Sequence, residues 1–323
     1  MRSPFLDRRR ALLALGAAAL APRAFAADAA PAAAFTDLMP AFWRSYDAMP
    51  DAPAAERAAR LVKEFFAPND ALYRRSGLKQ AVSAEAVARW FLRFDPLADA
   101  VRATHARFAD GYRANLARLR AALPDFDPTV SPVFLMPSLF RFDGHLEPDG
   151  KSLPLFFGPD GIVRYHGMEP DTAVLFAHEL FHCYQGQRNP AMALDPHMAV
   201  CANLWIEGTA TFASERLNPG ASLGHVLLDD DAMLRDGPAA APRIATALLA
   251  ALDATDAATL ESFFDAGWHG DAWPRRGGYY VGYLVAKRLA EGGMSLREMA
   301  GLPAPQVRER VAGALHAIAD GKA

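Results

Sequence analysis

The residues with the clearest potential for chemistry are the five from His178 to His182, which read HELFH. Asp171 can cap a helix containing them and Asn189-Pro190 can end it, so the segment is predicted to lie inside a helix of about four turns. Helical residues four apart share a face, so both imidazoles can reach one metal ion. Glu179 points about 100° away around the axis, a position suited to a general base acting on a water.

A catalytic zinc site needs a third protein ligand and one open position. A second helical pattern runs from Asn203 to Glu215 and offers Glu207, which we expect to be that ligand. Glu215, two turns further along, is the second choice. The alternative to a metal site is that His178 and His182 are ordinary surface or core histidines.

Together these residues resemble the gluzincins, which combine HExxH with a glutamate on a following helix. More narrowly, the chain resembles bacterial zinc-dependent proteases in which HExxH precedes Glu-Gly-x-Ala and Gly-Tyr-x-x-Gly-Tyr segments. These segments read Glu207-Gly-Thr-Ala210 and Gly278-Tyr-Tyr-Val-Gly-Tyr283 here. The resemblance implies a zincin-like fold and one Zn²⁺ per chain held by His178, His182 and Glu207. It assigns Glu179 as the base.

The resemblance also draws attention to two tyrosines, because gluzincins commonly place a tyrosine or histidine opposite the base, where it donates a hydrogen bond to the developing oxyanion. Tyr279 is preferred to Tyr283, since it follows Gly277-Gly278 and glycines allow close backbone approach. The alternative is that both are core tyrosines four residues apart on a packed helix.

The sequence departs from better-known gluzincins at Thr211. Many members of the family carry an acidic residue there, four after the glutamate ligand, where it hydrogen-bonds a zinc histidine. Asn203, one turn before Glu207, is our candidate for that supporting role, and Thr211 itself is a second candidate.

The N-terminus predicts export. Arg8, Arg9 and Arg10 precede an apolar run from Ala11 to Leu20, and Ala24-Phe-Ala26 forms a cleavage signature. Residues 1 to 26 therefore resemble a signal peptide of the twin-arginine type, although the general secretory route also fits. Residues 27 to 34 are expected to be a disordered lead-in, and the mature protein to be periplasmic or secreted.

Charge and cysteine content exclude several classes of protein. Without residues 1 to 26 the chain has 29 basic and 36 acidic residues, a net charge of −7, which argues against nucleic acid and anionic membranes as partners. No later segment approaches the length that spans a bilayer, so no stable membrane insertion is expected after signal removal. Cys183 and Cys201 are either bridged, as an oxidising compartment permits, or two buried thiols.

Residues 35 to 323 are expected to form one α+β, mostly helical domain. A helical N-terminal layer is predicted over residues 35 to 123. Short apolar runs separated by Asp-Gly turns over residues 130 to 166 predict a small antiparallel sheet before the HExxH helix, including strands at Leu139–Phe142 and Ile162–Tyr165. Helices dominate from Asp171 to the end.

The predicted function is hydrolysis of peptide bonds in a peptide or protein substrate by a zinc-activated water. An edge strand of the sheet is expected to bind extended substrate. Two alternatives are a non-catalytic, zinc-braced binding protein of the cell envelope and an amide hydrolase acting on cell-wall material.

Overall fold

A computed structural model describes residues 35–48, 50–265, 267–268, 270 and 272–322. The expected export signal, residues 1 to 26, and the lead-in, residues 27 to 34, lie outside the described residues. Within the described part, the chain is mostly helical with one small four-stranded sheet, and it belongs to a single compact unit. None of its described helices is long and apolar enough to cross a membrane.

The N-terminal layer consists of one short strand followed by helices. Strand β1 is Phe35–Asp37, and the helices α1 to α5 are Met39–Tyr46, Ala54–Leu61, Asp70–Arg75, Ala84–Phe94 and Ala98–Ala122. Aromatic rings join them: the centroid of Phe94 lies 5.5 Å from that of Phe42 and 4.0 Å from that of Trp90. The predicted helical layer is therefore present, except that its first residues form a strand.

The sheet is mixed, so the prediction of an antiparallel sheet was wrong for two of the three strand pairs. Its remaining strands are β2 (Val133–Leu135), β3 (Gly144–Leu146) and β4 (Leu155–Phe157), in the order β1-β2-β4-β3. Only β3 and β4, joined by a short loop, are antiparallel. The pairs β1/β2 and β2/β4 are parallel, because long connections carry the chain back to the same end of the sheet.

Two other predicted strands are not strands in the structure. Ile162–Tyr165 lies in helix α6, Pro159–His166, which starts with the proline and acidic residue favoured in a first helical turn. Asp160 is fully buried, and its carboxylate accepts the backbone N–H of Ser138 at 2.7 Å. This bond helps to hold Leu139–Phe142 in a turn that leads into β3.

The rest of the chain is helical. Helices α7 to α15 are Ala173–Arg188, Pro190–Ala193, Val200–Leu217, Leu223–Val226, Asp231–Ala250, Ala257–Phe264, Gly277–Glu291, Leu296–Gly301 and Ala304–Ala319. Helix α7 packs on α5, where the Phe176 and Phe108 ring centroids are 5.1 Å apart. Helix α9 lies between two hydrophobic clusters: Ala213 belongs to one, with the sheet and α7, and Leu204 to the other, with α11, α13 and α15.

Helices α9 and α13 cross where two glycines meet. A Cβ atom on Gly208 would overlap the backbone of Gly282, and a Cβ atom on Gly282 would lie 2.7 Å from the carbonyl oxygen of Leu204. The crossing thus requires glycine at both positions. The crossing also accounts for a glycine in each of the two segments identified in the sequence, because Gly208 follows Glu207 and Gly282 precedes Tyr283.

We expect Gly208→Ala to destabilise the protein by about 3 kcal/mol, since neither backbone can move away without separating the helices. Gly313→Ala on α15 is the matched control. Apart from the neighbouring backbone of its own helix, no atom lies within 4 Å of a Cβ at this position, so the same change should stabilise by about 0.5 to 1 kcal/mol. Urea unfolding measures the free energy of unfolding of both variants, and a Gly208→Ala variant as stable as Gly313→Ala would contradict the close approach.

Candidate functional site

Three predicted ligands meet where α7 faces α9. The Nε2 atoms of His178 and His182 are 3.0 Å apart, and Oε2 of Glu207 lies 3.4 Å and 3.5 Å from them. Both histidines are buried, and the three ligand atoms are all within 4.8 Å of one another. This buried group can bind a metal ion.

The charges in this group are strongly coupled. Burial lowers the pKa of His178. Burial also disfavours the charged form of His182, but the adjacent Glu207 carboxylate outweighs it and raises the pKa of His182 to about 9. The two imidazoles in turn overcome burial at Glu207 and hold its pKa well below the ordinary value. A bound cation would take the place of the proton that His182 otherwise carries, since only a neutral imidazole can be a ligand.

Gln185 orients His182, a role that our sequence analysis missed. Its Oε1 lies 2.7 Å from Nδ1 of His182, while its Nε2 donates to the carbonyl of Ile206 at 3.0 Å and to Oγ1 of Thr209 at 2.7 Å. The two donated bonds orient the amide so that its oxygen accepts from Nδ1–H, which leaves the Nε2 lone pair free for a metal. The sequence feature that could have indicated this role is the position of Gln185, three residues after His182 in the same helix.

Gln185→Leu should weaken metal binding about 10- to 100-fold, as expected when the group that orients a ligating histidine is lost. Gln187→Leu on the same helix is the control, because that amide bonds only the backbone of Asp125 and Asp127 among the described residues. Competition with a chromophoric chelator measures both affinities. Equal affinities in the two variants would exclude the orienting role.

Glu179 lies beside the ligand group, beneath strand β3. A Cβ atom on Gly144 would be 2.5 Å from Cγ of Glu179, so only glycine allows this strand to pass so close. Burial raises the pKa of Glu179 to about 8, and the carboxylates of Asp143 and Glu207 add to the increase while His182 opposes it. A cation in the site would favour the ionised carboxylate.

The two candidate tyrosines point to different places. Tyr279 lines the cleft, and burial together with the Glu207 carboxylate raises the pKa of its hydroxyl. The expectation for Tyr283 needs correction, because its hydroxyl donates to Oε1 of Glu215 at 2.9 Å. The same bond holds Glu215, the second choice for a ligand, away from the two histidines.

Neither residue predicted to support the histidines hydrogen-bonds them. Asn203 lines the cleft, but its amide donates to the carbonyls of Met198 at 3.2 Å and Ala199 at 3.4 Å. Thr211 is buried and donates to the carbonyl of Glu207 at 2.9 Å, within helix α9. The expected support therefore comes from Gln185 on α7 instead.

The two cysteines are free and buried, so the disulfide alternative is not realised in the structure. Cys183 belongs to the hydrophobic cluster of the sheet and α7, whereas Cys201 belongs to the cluster of α11, α13 and α15. Burial raises the pKa of Cys183 to about 12. Both thiols pack as small apolar groups.

The ligand group opens into a cleft of about 820 Å³, a size typical of ligand-binding sites. Strand β3, the turn before α11 and the start of α13 form its walls. Its lining is rich in acidic residues: Asp143, Glu179, Asp195, Glu207, Asp229, Asp230 and Asp265. Behind the wall, the ring nitrogens of His166 each lie 2.8 Å from a carboxylate, one from Asp143 and one from Asp229, and so tie β3 to that turn.

Comparison with protein-family models, curated proteins and solved structures found no match to this chain. Functional inference therefore depends on the residues themselves. They form a buried His-His-Glu group with a carboxylate beside it, at the base of an open cleft.

Proposed function

We propose that this protein is an exported zinc-dependent peptidase with a zincin-like fold. The observation that carries the proposal is the position of Glu179, buried beside the three-residue ligand group and facing the cleft below Gly144. A metal that only braced two helices would not need this carboxylate. The predicted signal at residues 1 to 26 supports export.

Zinc fits the ligand group. Its sites combine imidazole nitrogen and carboxylate oxygen in a tetrahedron with bonds of about 2.0 to 2.2 Å, which places neighbouring ligand atoms roughly 3.3 to 3.6 Å apart. The separations of 3.4 and 3.5 Å from Glu207 agree with this requirement, and the 3.0 Å between the two histidine nitrogens is a few tenths of an ångström shorter. Three protein ligands leave one position open. Bound zinc supplies Lewis-acid polarisation and lowers the pKa of a coordinated water to about 7.

The protein's own residues then manage protons and charge. Glu179 accepts a proton from the attacking water and passes it to the nitrogen of the departing amine. Tyr279, which lines the same cleft close to Glu207, donates its hydroxyl hydrogen to the oxygen that becomes negative. Its raised pKa keeps that hydroxyl protonated at neutral pH.

Strand β3 is suited to hold the substrate in an extended form. It is at an edge of the sheet, and its residues Gly144, His145 and Leu146 line the cleft. A peptide that adds to this edge would receive main-chain hydrogen bonds regardless of its sequence. Its backbone would then pass over Glu179 and the ligand group.

Removal of the metal tests the proposal directly. Protein treated with a chelator should lose cleavage of a mixed peptide library, and stoichiometric Zn²⁺ should restore it. The melting temperature should rise on zinc addition as well, because a ligand that binds only the folded state stabilises it. Zinc-loaded protein that cuts no peptide in the library would refute the peptidase function while leaving the metal site intact.

A further inference from the structure

Arg276 is a cation at the end of the acidic cleft. It immediately precedes α13, with a left-handed backbone conformation (φ 55°) that is uncommon for a residue with a side chain. Its side chain is partly buried and lines the cleft, and its guanidinium carbon lies 4.3 Å from the centre of the Tyr279 ring. The stacking holds the guanidinium next to the residue proposed to face the oxyanion.

No carboxylate among the described residues forms an ion pair with Arg276, and its guanidinium has no hydrogen-bond partner among them. Nearby acids are occupied elsewhere: Asp143 by His166, and Glu207 by the two histidines. Asp230 accepts the N–H of Met233 at 3.1 Å and lies 3.4 Å from Nε of Arg275. The five donors of Arg276 are therefore available to a ligand.

The other arginines of the cleft differ from Arg276. Arg275 is exposed and already lies beside Asp230, and Arg141 is exposed. Away from the ligand group and its metal, a carboxylate entering this cleft would be repelled by most of the charged side chains that line it. Only at Arg276 would it meet a partly desolvated and unpaired guanidinium, whose fork of donors matches a carboxylate in two parallel hydrogen bonds.

We propose that Arg276 binds a carboxylate of the substrate and so directs cleavage to peptide bonds close to a negative charge. The inference rests on the proposed peptidase function. A carboxylate of this kind has two sources in peptides, the free C-terminus and the side chain of Asp or Glu. The guanidinium geometry is the same for both.

Binding can be measured without turnover by using zinc-loaded protein carrying Glu179→Gln. This protein is immobilised and exposed to a mixed hexapeptide library made in two forms, with free C-termini and with C-terminal amides. Mass spectrometry of retained peptides gives the enrichment of acid over amide forms. Within the amide library, it gives the enrichment of Asp and Glu over Asn and Gln.

We expect one of these two ratios to be about 10- to 100-fold, the range for a hydrogen-bonded charge at a partly buried site. Adding Arg276→Gln should abolish the preference, Arg276→Lys should retain part of it, and Arg275→Gln should leave it unchanged. Circular dichroism checks that each variant is folded.

The inference is overturned if both enrichment ratios are near one in the protein that retains Arg276, or if Arg276→Gln leaves them unchanged. It is also overturned if no peptide is retained. These results are distinguishable from failure of the proposed function. If carboxylates are retained through Arg276 but zinc-loaded protein with Glu179 intact cuts nothing, binding stands and the peptidase function fails. If the free-acid and amide forms are cut equally well, and the amide peptides that are cut show no enrichment of Asp and Glu over Asn and Gln, the function stands and the carboxylate preference fails.

Discussion

Replacing Glu179 with Gln should reduce peptide cleavage about 10²- to 10⁴-fold, the contribution typical of a positioned general base. Glutamine keeps the size of the side chain beneath Gly144 but cannot accept a proton. Zinc content should remain at one ion per chain, because Glu179 does not belong to the ligand group. Cleavage rates of a library-derived peptide and metal analysis of the purified variant measure the two quantities.

Glu169→Gln is the matched control, since Glu169 is exposed and does not line the cleft. It should leave both cleavage and zinc content unchanged. Glu179→Gln protein that cleaves at the unmodified rate would remove Glu179 from the mechanism. If neither protein cleaves any peptide while both hold zinc, the non-catalytic, zinc-braced alternative becomes the better account.

Glu207→Ala should lower zinc affinity by more than about 100-fold, beyond the 10- to 100-fold cost of losing a group that merely orients a ligand. The variant loses one of three protein ligands. It also loses the negative charge that stabilises a cation between two buried imidazoles. Chelator competition measures the affinity, and the zinc-dependent rise in melting temperature should decrease in parallel.

Glu215→Ala on the same helix is the control for this substitution. It removes a carboxylate of equal charge and breaks the hydrogen bond from Tyr283, but it leaves the ligand group intact. Its zinc affinity should match that of the unmodified protein. Full affinity in Glu207→Ala together with loss in Glu215→Ala would reverse the assignment of the third ligand.

Much of the candidate site was predictable because it depends on helical periodicity. Four-residue spacing places His178 and His182 on one face wherever a helix forms. The stop signal at Asn189-Pro190 places the end of that helix correctly, whereas its N-cap is Thr172, one residue after the predicted Asp171. The helix with Glu207 follows from its own apolar pattern. These are local relationships, determined by backbone geometry within a few turns, so the order of residues is sufficient to specify them.

Relationships between distant segments required the folded chain. Contacts between elements hold the Gln185 amide in place, because it donates to Ile206 and Thr209 on α9. Such contacts also decide that Tyr283 binds Glu215 and that Cys183 and Cys201 lie in separate hydrophobic clusters. The sheet pairing was mispredicted for the same reason. Strand β1 is about a hundred residues from its partner β2, and β2 pairs with β4 instead of with the next strand in the chain, β3. Side chains remote in the chain become neighbours only when helices and strands pack. Helical or strand periodicity carries no information about which of them will meet.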